Sequence, residues 1–132
     1  MENVWLNLPV KDLDRTEKFY TGIGFSPNGK NYKTDELVSF LAGSNKLIVH
    51  FFREDVLKTA MDGEICDASS ANEMMITIGS KSKEEIIKIT GKIENLGGTV
   101  HKKPQRDGEY YGSTFADPDG HKWNFLLLEK GM

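Results

Sequence analysis

The sequence predicts an α+β fold made of two βαβββ modules in tandem, and three observations carry that prediction. Alternation of apolar and mixed residues marks a strand at Val4–Val10 and again at Glu73–Ile78. A helix-start signal and an apolar stripe at helical spacing follow each of these strands. Three short apolar runs separated by glycine-rich turns then complete each half.

In the first strand the even positions Val4, Leu6, Leu8 and Val10 are all apolar, whereas Trp5, Asn7 and Pro9 are mixed. A strand of this composition has one dry face and one chemically varied face. Pro9 suits a strand end or an unpaired edge position. Asp12 offers an N-cap, and Leu13, Thr16, Phe19, Tyr20 and Ile23 line one side of a helix closed by Gly22 and Gly24. Strands are expected at about Phe25–Asn28, Leu37–Ala42 and Lys46–Phe52, with turns at Gly29 and Gly43-Ser44-Asn45.

The stretch from Arg53 to Asn72 reads as a connection in which Val56, Leu57 and Met61 can make one or two helical turns. The second half repeats the first. In Glu73–Ile78 the odd positions are again the mixed ones. Ser82-Lys83-Glu84-Glu85 forms a capping box, Ile86, Ile89, Ile93 and Leu96 share a helix face, and Gly97-Gly98 ends the helix. Strands follow at Thr99–Lys102, Glu109–Ala116 and His121–Leu128, the last two joined by the turn Asp117-Pro118-Asp119-Gly120. The expected boundaries are a first module over residues 3–53, a linker over 54–71 and a second module over 72–129, together one domain. Each helix covers the dry face of its sheet and leaves the other face free to bend around a ligand.

Composition narrows the function. The 132 residues carry a formal charge of −3, with both signs mixed along the chain, which argues against a nucleic-acid or membrane-surface partner. The short basic run His101-Lys102-Lys103 reads as a solvated strand end. No apolar stretch approaches the roughly 18 residues of a membrane span. The start lacks the basic n-region of a signal peptide, and the lone Cys66 has no partner for an internal disulfide; a cytoplasmic location is expected. Cys66, in a polar stretch without a nearby His, reads as a plain thiol.

Several segments resemble one family. Leu8-Pro9-Val10-Lys11-Asp12-Leu13 with Phe19-Tyr20 and Gly24-Phe25 resembles the opening of vicinal-oxygen-chelate proteins, the glyoxalase/bleomycin resistance/dioxygenase group. Leu96-Gly97-Gly98-Thr99-Val100 resembles their second helix-to-strand corner, and the run from Tyr111 to His121 resembles the signature before their last strand. The resemblance spans about Val4 to Leu128. It implies paired modules forming an open, incomplete barrel around a small-molecule pocket, and a homodimer. Members include glyoxalase I-type lyases, extradiol dioxygenases, fosfomycin-inactivating thiol transferases and metal-free antibiotic-binding proteins, so the fold alone does not set the reaction.

The resemblance also implies where a divalent ion would be held: by His, Glu or Gln side chains on the first and last strand of each module. Here Trp5 stands where the first His usually lies, and Asn124 stands where the last Glu usually lies. His50 and Glu73 remain as candidate ligands, with Glu73 also the candidate catalytic residue. Two ligands fall short of the full set, so no cofactor is assigned, and a divalent metal belongs to the alternative reading.

Without a metal, the mixed faces supply Trp5, Asn7, His50, Met75, Thr77 and Asn124 as ligand-binding candidates. One of Tyr110 and Tyr111 joins them, because neighbouring strand residues point to opposite faces. The expected function is binding of a small organic molecule in detoxification or resistance. The alternatives are a metal-dependent lyase or transferase of glyoxalase I type, and a non-catalytic structural dimer.

Overall fold

A computed structural model describes residues 1–128; the expected end of the second module, at residue 129, lies outside the described residues. The chain divides into two compact units, Met1–Cys66 and Asp67 onward.

In the first unit, strand β1 (Leu6–Val10) leads into helix α1 (Leu13–Ile23), then β2 (Ser26–Pro27), β3 (Leu37–Ala42), β4 (Leu47–Arg53) and helix α2 (Glu54–Ala60). The sheet order is β1-β4-β3-β2, with β1 and β4 parallel and the other pairs antiparallel. Asp12 caps α1 as its residue type predicts, accepting from the Arg15 amide at 3.1 Å. Gly24 closes the helix in the left-handed region (φ 101), where a Cβ is disfavoured. Phe19, Tyr20 and Ile23 are buried against Val38, Phe40, Val49 and Phe51, with Tyr20 stacked on Phe51 at 4.2 Å between ring centroids. That contact fixes which sheet face lies under α1. The long β2–β3 connection is tied to α1 by charge: Tyr32 donates to Glu17 at 2.6 Å, and Lys33 bridges Asp14 and Glu17. The Tyr32 bond and then Lys33 hold the Glu17 carboxyl below its usual range.

The second unit repeats the topology. Its elements are β5 (Met75–Ser80), helix α3 (Lys83–Thr90), a 3-10 turn (Glu94–Leu96), β6 (Thr99–Asp107), β7 (Tyr110–Ala116) and β8 (Lys122–Leu127). The sheet order is β5-β8-β7-β6, again with the first and last strands parallel. Both sheets are therefore four-stranded βαβββ layers, and neither closes into a barrel. Ile86, Ile93, Phe115, Trp123 and Phe125 form the buried core of this unit. Within it, the Thr90 and Ser113 hydroxyls satisfy each other at 2.7 Å.

Several details depart from the sequence reading. The first strand begins at Leu6, leaving Val4 and Trp5 ahead of it. Only half of the Ser82–Glu85 capping box forms. Ser82 accepts from the Glu85 amide at 3.1 Å, but the Glu85 carboxylate takes a hydrogen bond from Ser80 instead of reaching back. Helix α3 ends at Gly91, and a 3-10 turn carries the chain on to Gly97. Strand β6 runs five residues beyond Lys102, to Asp107. It passes Pro104 because it is an edge strand with two register shifts, where a missing amide hydrogen costs little.

The turn between β7 and β8 is built around a buried carboxylate. Asp117 accepts from the amides of Asp119 at 3.0 Å and His121 at 2.9 Å. Gly120 closes the turn at φ 95, and a Cβ there would run into the backbone of Ala68 and Ser69. Asp117→Ala is expected to lower stability by about 2 kcal/mol, the scale of charge-assisted bonds lost with two amides left unpaired. Gly120→Ala is expected to cost at least as much, through both strain and collision. Urea unfolding midpoints of the two variants check both values.

Candidate functional site

The strand pairings decide which side chains share a face. In the first unit Asn7 stands opposite His50, and His50 opposite Ser39. Asn28, just beyond β2, donates through its side chain to the Ser39 hydroxyl at 3.1 Å. A polar row therefore crosses this sheet on the face opposite α1, since Val49 and Phe51 occupy the α1 side. Trp5 and Phe52 flank His50, each edge-on, at 6.2 and 5.9 Å between ring centroids. The Trp5 side of this arrangement is open: Trp5 is 50% exposed.

His50 is half-buried, and its Nδ1 is shielded from water without a hydrogen-bond partner. Loss of solvation pushes the imidazole below the ordinary histidine value, which favours the neutral form.

The equivalent row in the second unit is Thr77, Asn124, Thr114 and Lys102, paired in that order across β5, β8, β7 and β6. Asn124 reaches toward the Thr77 hydroxyl at 3.4 Å, a long contact that leaves most of the amide's capacity unused. The row lies on the face opposite α3, because Ser113 and Phe115 occupy the α3 side. Met75, 53% exposed, continues the same face of β5.

A cleft of about 300 Å³ opens on this face. Tyr110, Gly112, Thr114, Asn124 and Leu126 line it from β7 and β8, together with Ser113. Lys102, Gln105 and Asp107 line it from β6. Of the two neighbouring tyrosines, Tyr110 lines the cleft. Tyr111 lies on the α3 side, where the Lys83 ammonium sits 5.0 Å from its ring centroid.

From sequence, Lys102 ends the strand as part of a solvated basic run, before Pro104; in the structure the strand continues and adds Gln105 and Asp107. The common orientation of the three comes from the two register shifts, between Val100 and Lys102 and between Lys102 and Gln105. A regular strand would send Lys102 and Gln105 to opposite faces. The second shift inserts one extra residue, and Gln105 secures it by donating to the Lys103 carbonyl at 3.0 Å. The available signal was Pro104, a residue that within sheets favours edges and bulges.

Within the first unit, the donor set on this row does not fit a metal centre. Around His50 the paired neighbours are the neutral Asn7 and Ser39, with aromatic edges on either side; no carboxylate or second imidazole joins it on that row. Glu73 belongs to the other unit and is exposed ahead of β5. It falls off the strand because β5 and β8 start pairing at Met75 and Lys122, directly after the Asp117–Gly120 turn. Among the described residues no group of three or more His, Cys, Asp or Glu is placed to hold an ion. Transition-metal sites need three or four such ligands.

The profile of the Glyoxalase/Bleomycin resistance protein/Dioxygenase superfamily matches residues 4–125. The chain belongs to this superfamily. No curated protein matches the sequence. Among solved structures, the hypothetical protein SA1046 from S. aureus is similar at 29% identity, covering 96% of this chain and 94% of that one, with a TM-score of 0.85. A glyoxalase-related enzyme from Fulvimarina pelagi is similar in fold at 18% identity, covering 96% and 88%, with a TM-score of 0.79. The fosfomycin resistance protein FosX from Listeria monocytogenes shares the fold at 20% identity, covering 96% and 90%, with a TM-score of 0.67. Among the described residues no helix is long and apolar enough to cross a membrane.

The His50 environment has a measurable consequence. Its folded pKa is depressed, so acidification below the ordinary value of 6.5 protonates the unfolded chain first. The contribution to stability is intact above that pH and lost as the pH falls toward the folded value. An NMR titration of His50 is expected to give a midpoint below that of a histidine in an unstructured peptide. His50→Gln is expected to flatten stability against pH in the same window.

Proposed function

We propose that this superfamily member binds a small organic molecule, in a detoxification or resistance role, without the four-ligand metal centre of its catalytic relatives. The observation that carries the reading is the cleft on the second module. Its volume of about 300 Å³ lies at the lower end of the range for small-molecule sites. Tyr110 and Leu126 offer apolar surface, while Asn124 and Thr114 offer an amide and a hydroxyl for orientation. Met75 and Thr77 extend that face. On the first module, Trp5, Asn7 and His50 form a second group able to stack on a ligand and bond to it. The same reading takes the protein as a cytoplasmic homodimer; the exposed, unpaired thiol of Cys66 suits a reducing compartment.

Thermal-shift screening against a panel of metabolites and antibiotics tests the reading. A ligand at about a hundred times its Kd adds about 2.7 kcal/mol of apparent stability, a shift of several degrees for a chain of this size. At least one compound is expected to stabilise the protein. Tyr110→Ala and Asn124→Leu are expected to remove the shift while leaving the unliganded melting temperature near that of the parent. A panel without any stabilising compound favours the structural dimer.

The metal-dependent lyase or transferase remains the competing reading, with His50 and Glu73 as its ligands and Glu73 as its base. Metal analysis of protein purified without chelator is expected to find far less than one equivalent of Ni, Zn, Mn or Fe. Near-stoichiometric metal, together with lyase turnover abolished by Glu73→Gln, would reverse the assignment.

A further inference from the structure

The second-module cleft carries opposite charges at its two ends. Lys102 stands opposite Thr114 and Asp107 opposite Tyr110 on the neighbouring strand. These partners are four residues apart, a span of about 13 Å along a strand. The flexible lysine stem lets the ammonium close part of that distance. Neither residue has an ion-pair partner among the described residues. Between the charges lie Gly112, which carries no side chain because the Phe125 carbonyl stands where a Cβ would be, and the Asn124 and Thr114 side chains. The intervening charged residue of β6, Arg106, pairs with Tyr111 and so belongs to the other face of the sheet.

Two unpaired opposite charges separated by a bare floor and uncharged hydrogen-bonding groups define a bipolar surface. A singly charged ligand would satisfy one end and leave the other to water. We propose that the cleft selects a zwitterionic small molecule, with its anionic group at Lys102, its cationic group at Asp107, and its apolar middle over Gly112 between Tyr110 and Leu126. The proposal rests on the small-molecule reading above and adds the ligand class. Lys102 and Asp107 are its specificity residues, and Gln105 is a positioning residue, because its bond to the Lys103 carbonyl holds the strand phase that turns all three residues inward.

A matched set of rigid probes tests the proposal. In para-(aminomethyl)benzoate a benzene ring separates the ammonium from the carboxylate. Its single-charge counterparts are para-methylbenzoate and para-methylbenzylamine, and the neutral counterpart is para-methylbenzamide. In NMR titrations at low salt, the zwitterion is expected to bind about two- to fivefold more tightly than either singly charged probe, the scale of the one exposed ion pair that each comparison removes. Amide shifts are expected at Gly112 and Thr114. Lys102→Met should erase the advantage over para-methylbenzylamine, and Asp107→Asn the advantage over para-methylbenzoate. Both residues are exposed, so the variants should fold as the parent does.

Equal affinity for the zwitterion and the neutral amide overturns the charge selection and leaves the small-molecule reading standing. Unchanged affinity in both variants overturns it equally. If none of the four probes shifts the cleft resonances, the charge selection fails, and the compound panel decides the binding reading by itself.

Discussion

Everything at the site depends on the pairing of the first strand of each module with its last. Parallel pairing sets Leu8 beside Phe51 and Asn7 beside His50, so one face is committed to α1 and the other to polar groups. The same constraint in the second module sets Ile78 beside Phe125 and Thr77 beside Asn124. A slip of one residue would bury the polar row and expose the aromatic core. The stacking of Tyr20 on Phe51 and the Thr90–Ser113 hydrogen bond each oppose such a slip, because both tie a helix to one particular face.

The two modules use this shared frame differently. On the first sheet the row is uncharged, and burial favours the neutral form of its central imidazole. On the second the row runs from hydroxyl and amide to an ammonium, and the edge strand adds a carboxylate. The two sheets share one strand order, and the residues along their rows give them distinct chemistries. Trp5 and Asn124 stand where the superfamily resemblance places His and Glu, and neither offers the donor found there. Fold and donor set therefore carry separate information: the first assigns the superfamily, and the reaction has to be argued from the site.

Much of the fold was legible because its signals are local. Period-two alternation in Leu6–Val10, the Asp12 cap and the Asp117–Gly120 turn each act over a few residues, and each appears as the sequence implies. The face carrying Asn7, His50, Thr77 and Asn124 follows from the same alternation. Other parts depend on pairing, which no single segment encodes. Glu73 continues the alternation of its strand in sequence, yet it finds no partner, because β8 begins only after the turn at Gly120. Tyr110 and Tyr111 differ only in phase, and the ladder with β8 selects between them. The common face of Lys102, Gln105 and Asp107 is not legible in the sequence, because a proline after two lysines resembles the end of a strand. An edge position absorbs such a proline without ending there.

The irregularity in β6 carries a consequence for how this surface can change over generations. Its second bulge is a surplus of one residue between Lys102 and Gln105. Deleting that surplus residue would straighten the strand and still leave Gln105 opposite Gly112. Keeping it while ironing out the bulge would instead slide Pro104 and Arg106 inward, and the acidic end of the cleft would become basic with every charged residue retained. The number of residues between two fixed points, as much as their identity, thus sets the sign of the surface offered to whatever arrives there.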